Sequence, residues 1–361
     1  MKEPISVRAA DCFASASAGP SATRQESSSI LDARSPAEFA EDHVPGAINW
    51  PVLSDAQRIQ VGTLHREHGA FAARRTGAAL VARNIAALLD AHAHALDQHA
   101  RLLVYCWRGG QRSAALATVL ARIGYRVAVL EGGYKSFRCH VREQLPALAQ
   151  QLRFRVIAGR TGSGKTALLA HLARYGQQIL DLELLACHRG SVLGAQPGNP
   201  QPGQRAFETR LWHALSLLKH GEVVWLEAES KRIGLCTLPE ALVEAMRRSP
   251  CVMLTVPVQA RTDFLLAEYP FWVDNPQALQ AALQRLLPLV GTHVHGELRT
   301  LLAAGDIRGL VRCLLERHYD PLYDRSLEKN YRNTVSEDLH LDQLDATTLA
   351  GVAAQLSTWE G

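Results

Sequence analysis

Residues 159–166 read Gly-Arg-Thr-Gly-Ser-Gly-Lys-Thr, and this octapeptide decides the fold of the second half of the chain. It satisfies G-x-x-x-x-G-K-[ST] at every fixed position. Glycines at this spacing let successive backbone N–H groups turn inward as a concave anion nest. A helix starting at the lysine aims its positive end at the same point. Lys165 adds charge for the terminal phosphates, and the Thr166 hydroxyl is placed to hold Mg²⁺. The candidate phosphate-binding residues are therefore Gly159, Thr161, Gly162, Ser163, Gly164, Lys165 and Thr166. The competing account, a Gly-rich turn with a solvated lysine, lacks what flanks this loop. Phe154-Arg155-Val156-Ile157-Ala158 is a β-type run before it, and a helical pattern follows.

Further short β-type runs lie at Gln178–Leu182, Glu222–Leu226 and Val252–Val256, and helical periodicity dominates from Ala260 to about Arg317. The acidic partner of the loop stays open among three residues. Glu227 ends a buried-strand pattern where a metal-holding carboxylate belongs, Glu229 follows two residues on, and Asp181 closes a rival strand. Each is equally readable as a solvated strand-end charge.

Working toward the N-terminus, residues 135–152 suggest one connecting helix interrupted at Pro146. Before it, strand and helix patterns alternate: Arg101–Tyr105, a helix from about Ser113 to Ile123, then Val127–Leu130. That alternation argues for a small parallel α/β domain. Ser35-Pro36-Ala37-Glu38 is an N-capped helix start with proline first, and residues 77–97 are helical in composition. Residues 9–29 are small and polar. The expected division is a flexible lead-in at 1–29, an α/β domain at 30–140, a connecting helix at 141–152 and a phosphate-loop domain at 153–361.

Between the Arg101–Tyr105 strand and its helix lies Cys106-Trp107-Arg108-Gly109-Gly110-Gln111-Arg112-Ser113. A thiol there meets backbone amides, a helix N-terminus and the arginines Arg108 and Arg112, all of which favour the thiolate. Cys106 is thus the candidate nucleophile, with Arg108 and Arg112 as anion-holding partners. Cys12, Cys139, Cys187, Cys236, Cys251 and Cys313 lack such surroundings and read as structural. His92, His94 and His99 have no metal-ligand spacing, and no structural metal is expected.

Asp32-Ala33-Arg34, Glu38, His43-Val44-Pro45-Gly46-Ala47-Ile48-Asn49 and the Cys106 loop together resemble a rhodanese domain. Arg112 lies six positions after Cys106, one more than the usual single-domain rhodanese loop allows. That spacing also resembles rhodanese-like phosphatases, which however carry His where this chain has Tyr105. With the phosphate loop added, the whole resembles bacterial tRNA 2-selenouridine synthases, over roughly residues 30–330. Gln60-Val61-Gly62-Thr63, Glu131-Gly132-Gly133-Tyr134-Lys135, His188-Arg189-Gly190-Ser191 and Glu229-Ser230-Lys231-Arg232-Ile233-Gly234 match that family's pattern. The resemblance implies a rhodanese-like α/β domain followed by a P-loop NTPase-like α/β domain with a helical C-terminal part. It implies conversion of wobble 2-thiouridine to 2-selenouridine through S-geranyl-2-thiouridine, with selenophosphate and geranyl diphosphate as substrates and selenium carried on Cys106. Mg²⁺ is an optional companion. The implied partners are the Lys, Glu and Gln tRNAs and a selenophosphate supplier. Three rivals remain: a P-loop kinase or ATPase regulated by a rhodanese domain, a non-catalytic, nucleotide-switched tRNA-binding module, and a phosphatase, which Tyr105 weakens.

Composition bounds all of this. The 361 residues are 47% hydrophobic and 20% charged, ordinary for two globular domains and wrong for disorder. Lys and Arg number 39 against 35 acids, a formal +4 that permits an anionic partner. Seven cysteines without a CxxC pair exclude a disulfide scaffold and suggest a reducing cytoplasm. No apolar run reaches membrane-span length. For RNA contact, Arg189, Lys231-Arg232, Arg247-Arg248, and Arg325 with Lys329 are the candidates, and they form no obvious patch.

Overall fold

The computed structural model describes residues 3–13, 28–191, 193–195, 198–271, 275–331 and 334–359. They fall into two compact units, Met1–Leu145 with Pro202–Leu217, and Pro146–Gln201 with Leu218–Gly361.

The first unit is built on a five-stranded parallel sheet of β1 (Ile5–Val7), β2 (Ser28–Asp32), β3 (Ala47–Asn49), β4 (Arg101–Tyr105) and β5 (Arg126–Leu130), in the order β1-β5-β4-β2-β3. Leu31, Val52, Leu102, Val104, Leu116 and Leu120 form its core. The helix Pro36–Glu41 begins as its sequence demands, with Ser35 and Glu38 forming a reciprocal capping box. Two expectations need correction. Part of the presumed lead-in is structured, because Ile5–Val7 pairs with Ala128–Leu130 as the edge strand; residues 14–27 lie outside the described set. The helix Gln204–Leu217, read as part of the phosphate-loop domain, belongs to this unit. Its Trp212 packs edge-on against Phe13, Phe137 and His140. Arg138 fastens it by donating to Thr209 Oγ1, the Arg205 carbonyl and Glu208.

In the second unit β6 (Arg153–Gly159), β7 (Gln178–Leu180) and β8 (Val223–Glu227) come first in the chain. A short antiparallel pair follows, β9 (Arg232–Ile233) with β10 (Cys236–Thr237). With β11 (Cys251–Thr255) and β12 (Val335–His340) the main sheet is parallel, in the order β12-β11-β6-β8-β7. The strand feeding the phosphate loop is thus central, and no residue of β6 after Arg153 is exposed. The tail 331–361, in which the sequence shows no motif, supplies β12 and the helix Ala346–Ser357. Leu349, Val352 and Leu356 of that helix share a core with Leu168, Leu172, Trp225 and Leu254. The connecting helix runs unbroken from Gly133 to Gln151 through Pro146, and the division between units falls at that proline. Helices Pro276–Ala303, Ile307–Leu314 and Asp320–Asn330, joined by the π-helical turn Leu315–Tyr319, make the helical part. Among the described residues no helix is long and apolar enough to cross a membrane.

Candidate active site

In the second unit, β6 ends at Gly159 and the helix Lys165–Arg174 begins at Lys165. The loop between them takes the strand–loop–helix form its sequence requires. Lys165 Nζ donates to the Gly159 carbonyl at 2.8 Å and lies 5.3 Å from the Tyr323 ring centroid. The loop is held from one face of the helix Asp320–Asn330. Tyr323 Oη accepts the Gly159 N–H at 3.0 Å, and Asp324 takes Arg160 Nε and Nη2 at 2.8 and 2.7 Å. Asp320 takes both terminal nitrogens of the buried Arg261 at 2.8 Å, and Arg261 also donates to the Thr161 carbonyl.

The acidic candidates separate. Thr166 Oγ1 donates to Glu227 Oε2 at 3.0 Å, so Glu227, at the end of β8, is the carboxylate set against the loop threonine. Glu229 joins it, together with Glu183, which the sequence analysis missed; the three offer ligand oxygens within 4.8 Å of one another. Asp181 stays outside this cluster and caps the helix Leu182–Ala186 through the Leu184 N–H at 2.8 Å. Glu227 is 1% exposed, and its Oε1 has no hydrogen-bond partner among the described residues. Burial, then repulsion from Glu183, pushes the Glu227 carboxyl up to about 8, while Lys165 and Thr166 pull it down. Burial and Glu229 raise Glu183 to about 8, and burial and Glu227 raise Glu229 to about 7. Three crowded carboxyls with an orphaned oxygen and a threonine hydroxyl are the oxygen-only donor set that Mg²⁺ takes. Among the described residues His92, His94 and His99 form no comparable group.

Loop and carboxylates open on one cavity of about 700 Å³. The same cavity is lined by Leu265, Tyr269, Leu289, Tyr319 and Leu322 as well. A second, apolar chamber of about 80 Å³ shares Thr161, Ser191, Leu265, Tyr269 and Tyr319 with it and ends on Leu279, Leu310 and Leu314.

In the first unit Cys106 follows β4 and is 3% exposed. Its Sγ lies 3.2 Å from Ser113 Oγ and 3.9 Å from the Gly110 carbonyl. The helix Gly133–Gln151 starts against the loop, with the Tyr134 and Lys135 N–H groups donating to the Cys106 and Trp107 carbonyls at 2.8 and 3.0 Å. Gly133 permits that approach: a Cβ there would stand 2.2 Å from the Cys106 carbonyl oxygen and 2.4 Å from Gly109 N. Arg108 is exposed. Arg112 is instead engaged by Glu38, at 2.7 Å from Nη1 and 3.4 Å from Nη2. Burial alone would raise the Glu38 carboxyl, but Arg112, the Ser35 N–H and Arg58 hold it below the usual range. Behind the loop, Arg34 is buried on Asp32 and sits 4.0 Å from the Tyr134 ring centroid. Of the cysteines read as structural, Cys236, Cys251 and Cys313 are buried; Cys139 is exposed, and Cys12 and Cys187 are half-buried. The proposed RNA contacts are partly spent: Arg189 pairs with Glu268, Lys231 with Glu240 and Arg248 with Glu244.

A cysteine-loop α/β unit of the rhodanese kind and a P-loop unit, carried on one chain, define a two-domain P-loop protein with a thiol site. Family models agree, a Rhodanese-like domain matching residues 18–139 and the tRNA 2-selenouridine synthase AAA domain matching residues 152–347. The tRNA 2-selenouridine synthase of Marinobacter nauticus is 33% identical over 327 residues, covering 82% of this chain and 88% of that protein. Those of Verminephrobacter eiseniae (36%, covering 81% and 87%) and Shewanella piezotolerans (34%, covering 86% and 92%) are similar to it as well. The chain belongs to the tRNA 2-selenouridine synthase family, a family of enzymes.

Proposed function

We propose that this enzyme converts 2-thiouridine at the tRNA wobble position to 2-selenouridine through an S-geranyl intermediate, consuming geranyl diphosphate and selenophosphate. The observation that carries the geranyl step is the cavity over the phosphate loop. It is lined both by the phosphate loop and by apolar and aromatic side chains, and it shares Thr161, Ser191, Leu265, Tyr269 and Tyr319 with a smaller, mostly apolar chamber. A diphosphate with a hydrocarbon tail suits both kinds of lining at once. An amide nest recognises charge rather than the group attached to it, so the apolar lining is what favours a hydrocarbon tail.

In the first half-reaction the thiouridine sulfur attacks C1 of the geranyl group, the C1–O bond breaks and diphosphate leaves. The loop amides and Lys165 hold the departing charge. Thr166, Glu227, Glu183 and Glu229 would hold Mg²⁺, whose charge supplies further stabilisation of diphosphate. Alkylation turns sulfide into a neutral thiol, a better leaving group. In the second half-reaction the Cys106 thiolate attacks C2 and geranylthiol leaves. Water then cleaves selenophosphate to phosphate and selenide, and the selenide attacks C2 and displaces Cys106. This covalent relay splits one hard step into two easier ones with no change of oxidation state. Arg108 is left to meet phosphate, and Arg112 fixes the loop through Glu38. The Lys, Glu and Gln tRNAs and a selenophosphate-supplying enzyme are the proposed partners, and the cytoplasm the proposed compartment.

Chromatography of nucleosides formed from thiolated or pre-geranylated tRNA tests the division of labour. Lys165→Ala should stop geranylation and spare selenation of pre-geranylated tRNA. Cys106→Ser should accumulate the S-geranyl nucleoside. ATP turnover without tRNA and no geranylation by the wild type would refute the proposal in favour of a regulated ATPase.

A further inference from the structure

The helical stretch Asp55–His92 is two legs rather than one rod. Gly69 stands at φ 83°, ψ 174°, a region essentially reserved for glycine. Residues before and after it face each other. A Cβ on Gly77 would lie 3.5 Å from Val61 Cγ1, and Asn84 Nδ2 donates to Gln57 Oε1 at 2.6 Å. The legs close through small side chains, with Ala73 and Gly77 buried between them. At 1.5 Å per residue, the tip reaches about 12 Å beyond the Val61–Gly77 contact. Every residue from His65 to Phe71 is exposed, Phe71 by 74%.

Charge is concentrated on this hairpin. The hairpin carries Arg58, Arg66, Arg74, Arg75 and Arg83 against Asp55, Glu67 and Asp90, and with both aspartates at its base Glu67 is the one acid from 56 to 89. Arg58 is spent on Glu38. Among the described residues Arg66 and Arg74 make hydrogen bonds only within their own legs, to Thr63 and the Ala70 carbonyl. A lone exposed phenylalanine is unremarkable by itself. Set among cations at the end of a projecting hairpin, it matches what single-stranded RNA offers: phosphates for the arginines and an unstacked base face for the ring.

We infer that the hairpin 55–92 is an RNA-binding arm, with Arg66, Arg74 and Arg75 on phosphates and Phe71 stacked on an unpaired base of the tRNA. This rests on the tRNA substrate proposed above and assigns its docking surface, which the sequence candidates at Arg247-Arg248 and Arg325 do not include.

The test is tRNA binding by the full chain across a salt series, with inorganic pyrophosphate binding and thermal unfolding as controls that both variants should leave unchanged. Arg66→Glu/Arg74→Glu/Arg75→Glu should weaken binding by on the order of a hundredfold and flatten the log–log salt slope by about 2 to 3. Phe71→Ala should weaken binding about tenfold with the slope unchanged. Wild-type binding that both variants reproduce would overturn the arm and leave the tRNA reading standing. A wild type that binds no tRNA would overturn both. Attachment to phosphatidylserine vesicles that depends on these arginines and that tRNA fails to displace would overturn the arm in favour of a membrane contact.

Discussion

Raising the pH without a divalent cation should destabilise the P-loop unit, the reverse of ordinary acid unfolding. The Glu227 carboxyl is pushed up to about 8 in the fold, whereas in the unfolded chain it titrates near 4.5. Between those values the folded state holds a proton that the unfolded state has released. Its stabilisation is therefore complete below about pH 4.5 and is lost as pH rises through 8. One such group changes stability by about 1.4 kcal/mol per pH unit, hence about 2.7 kcal/mol from pH 5.5 to 7.5. For a unit of this size that lowers the melting temperature by roughly 5–10 °C. Glu183 and Glu229 are raised for the same reasons, but three crowded carboxyls titrate together, so one group's worth is the conservative figure. Lys165, Asp181 and Arg189 face the cluster and enter the same balance. Saturating Mg²⁺ should abolish the slope, because a bound cation replaces the protons. Near-UV circular dichroism suits the melts, since Trp225 is fully buried in β8. A melting temperature that stays flat or rises from pH 5.5 to 7.5 in chelator would refute the reasoning, as would an unchanged slope in Glu227→Gln.

Gly133→Ala should abolish selenation and lower the melting temperature by several degrees, since its Cβ cannot coexist with the Cys106 carbonyl at 2.2 Å; nucleoside analysis and melts check both. Glu38→Ala should cost about 1–2 kcal/mol by removing a helix cap and stranding Arg112, measurable by urea unfolding. Leu310→Phe should fill the apolar chamber, weakening geranyl diphosphate binding by about tenfold or more while sparing inorganic pyrophosphate in calorimetry.

What the sequence made legible was local. The phosphate loop, the Ser35 cap and the Cys106 loop each depend on residues within eight positions of one another, and each appears in the structure where its pattern put it. Glu183 escaped because nothing distinguishes it from the neighbouring Asp181 until β8 brings Glu227 alongside. Tyr323, Asp324 and Asp320 escaped because they reach the loop across some 164 positions of chain, with no spacing rule to connect them. The tail was passed over for the opposite reason. Val335–His340 is an edge strand, mostly exposed and rich in charge, so it lacks the apolar run that announces a buried one.

The helix Gln204–Leu217 has a consequence for how the protein comes off the ribosome. The chain leaves its first unit after Leu145 and re-enters it at Pro202. Until Trp212 and Thr209 are synthesised, Phe13, Phe137 and His140 lack the indole that packs on all three, and Asp42 Oδ2, which accepts from the Tyr134 hydroxyl, lacks its second hydroxyl donor at 2.9 Å. At about 5–20 residues per second, the intervening stretch 146–201 takes on the order of 3–11 s to translate. The N-terminal unit therefore cannot finish folding first, as successive domains usually do. It must wait, with an aromatic face open, while the phosphate loop of the other unit is already being made.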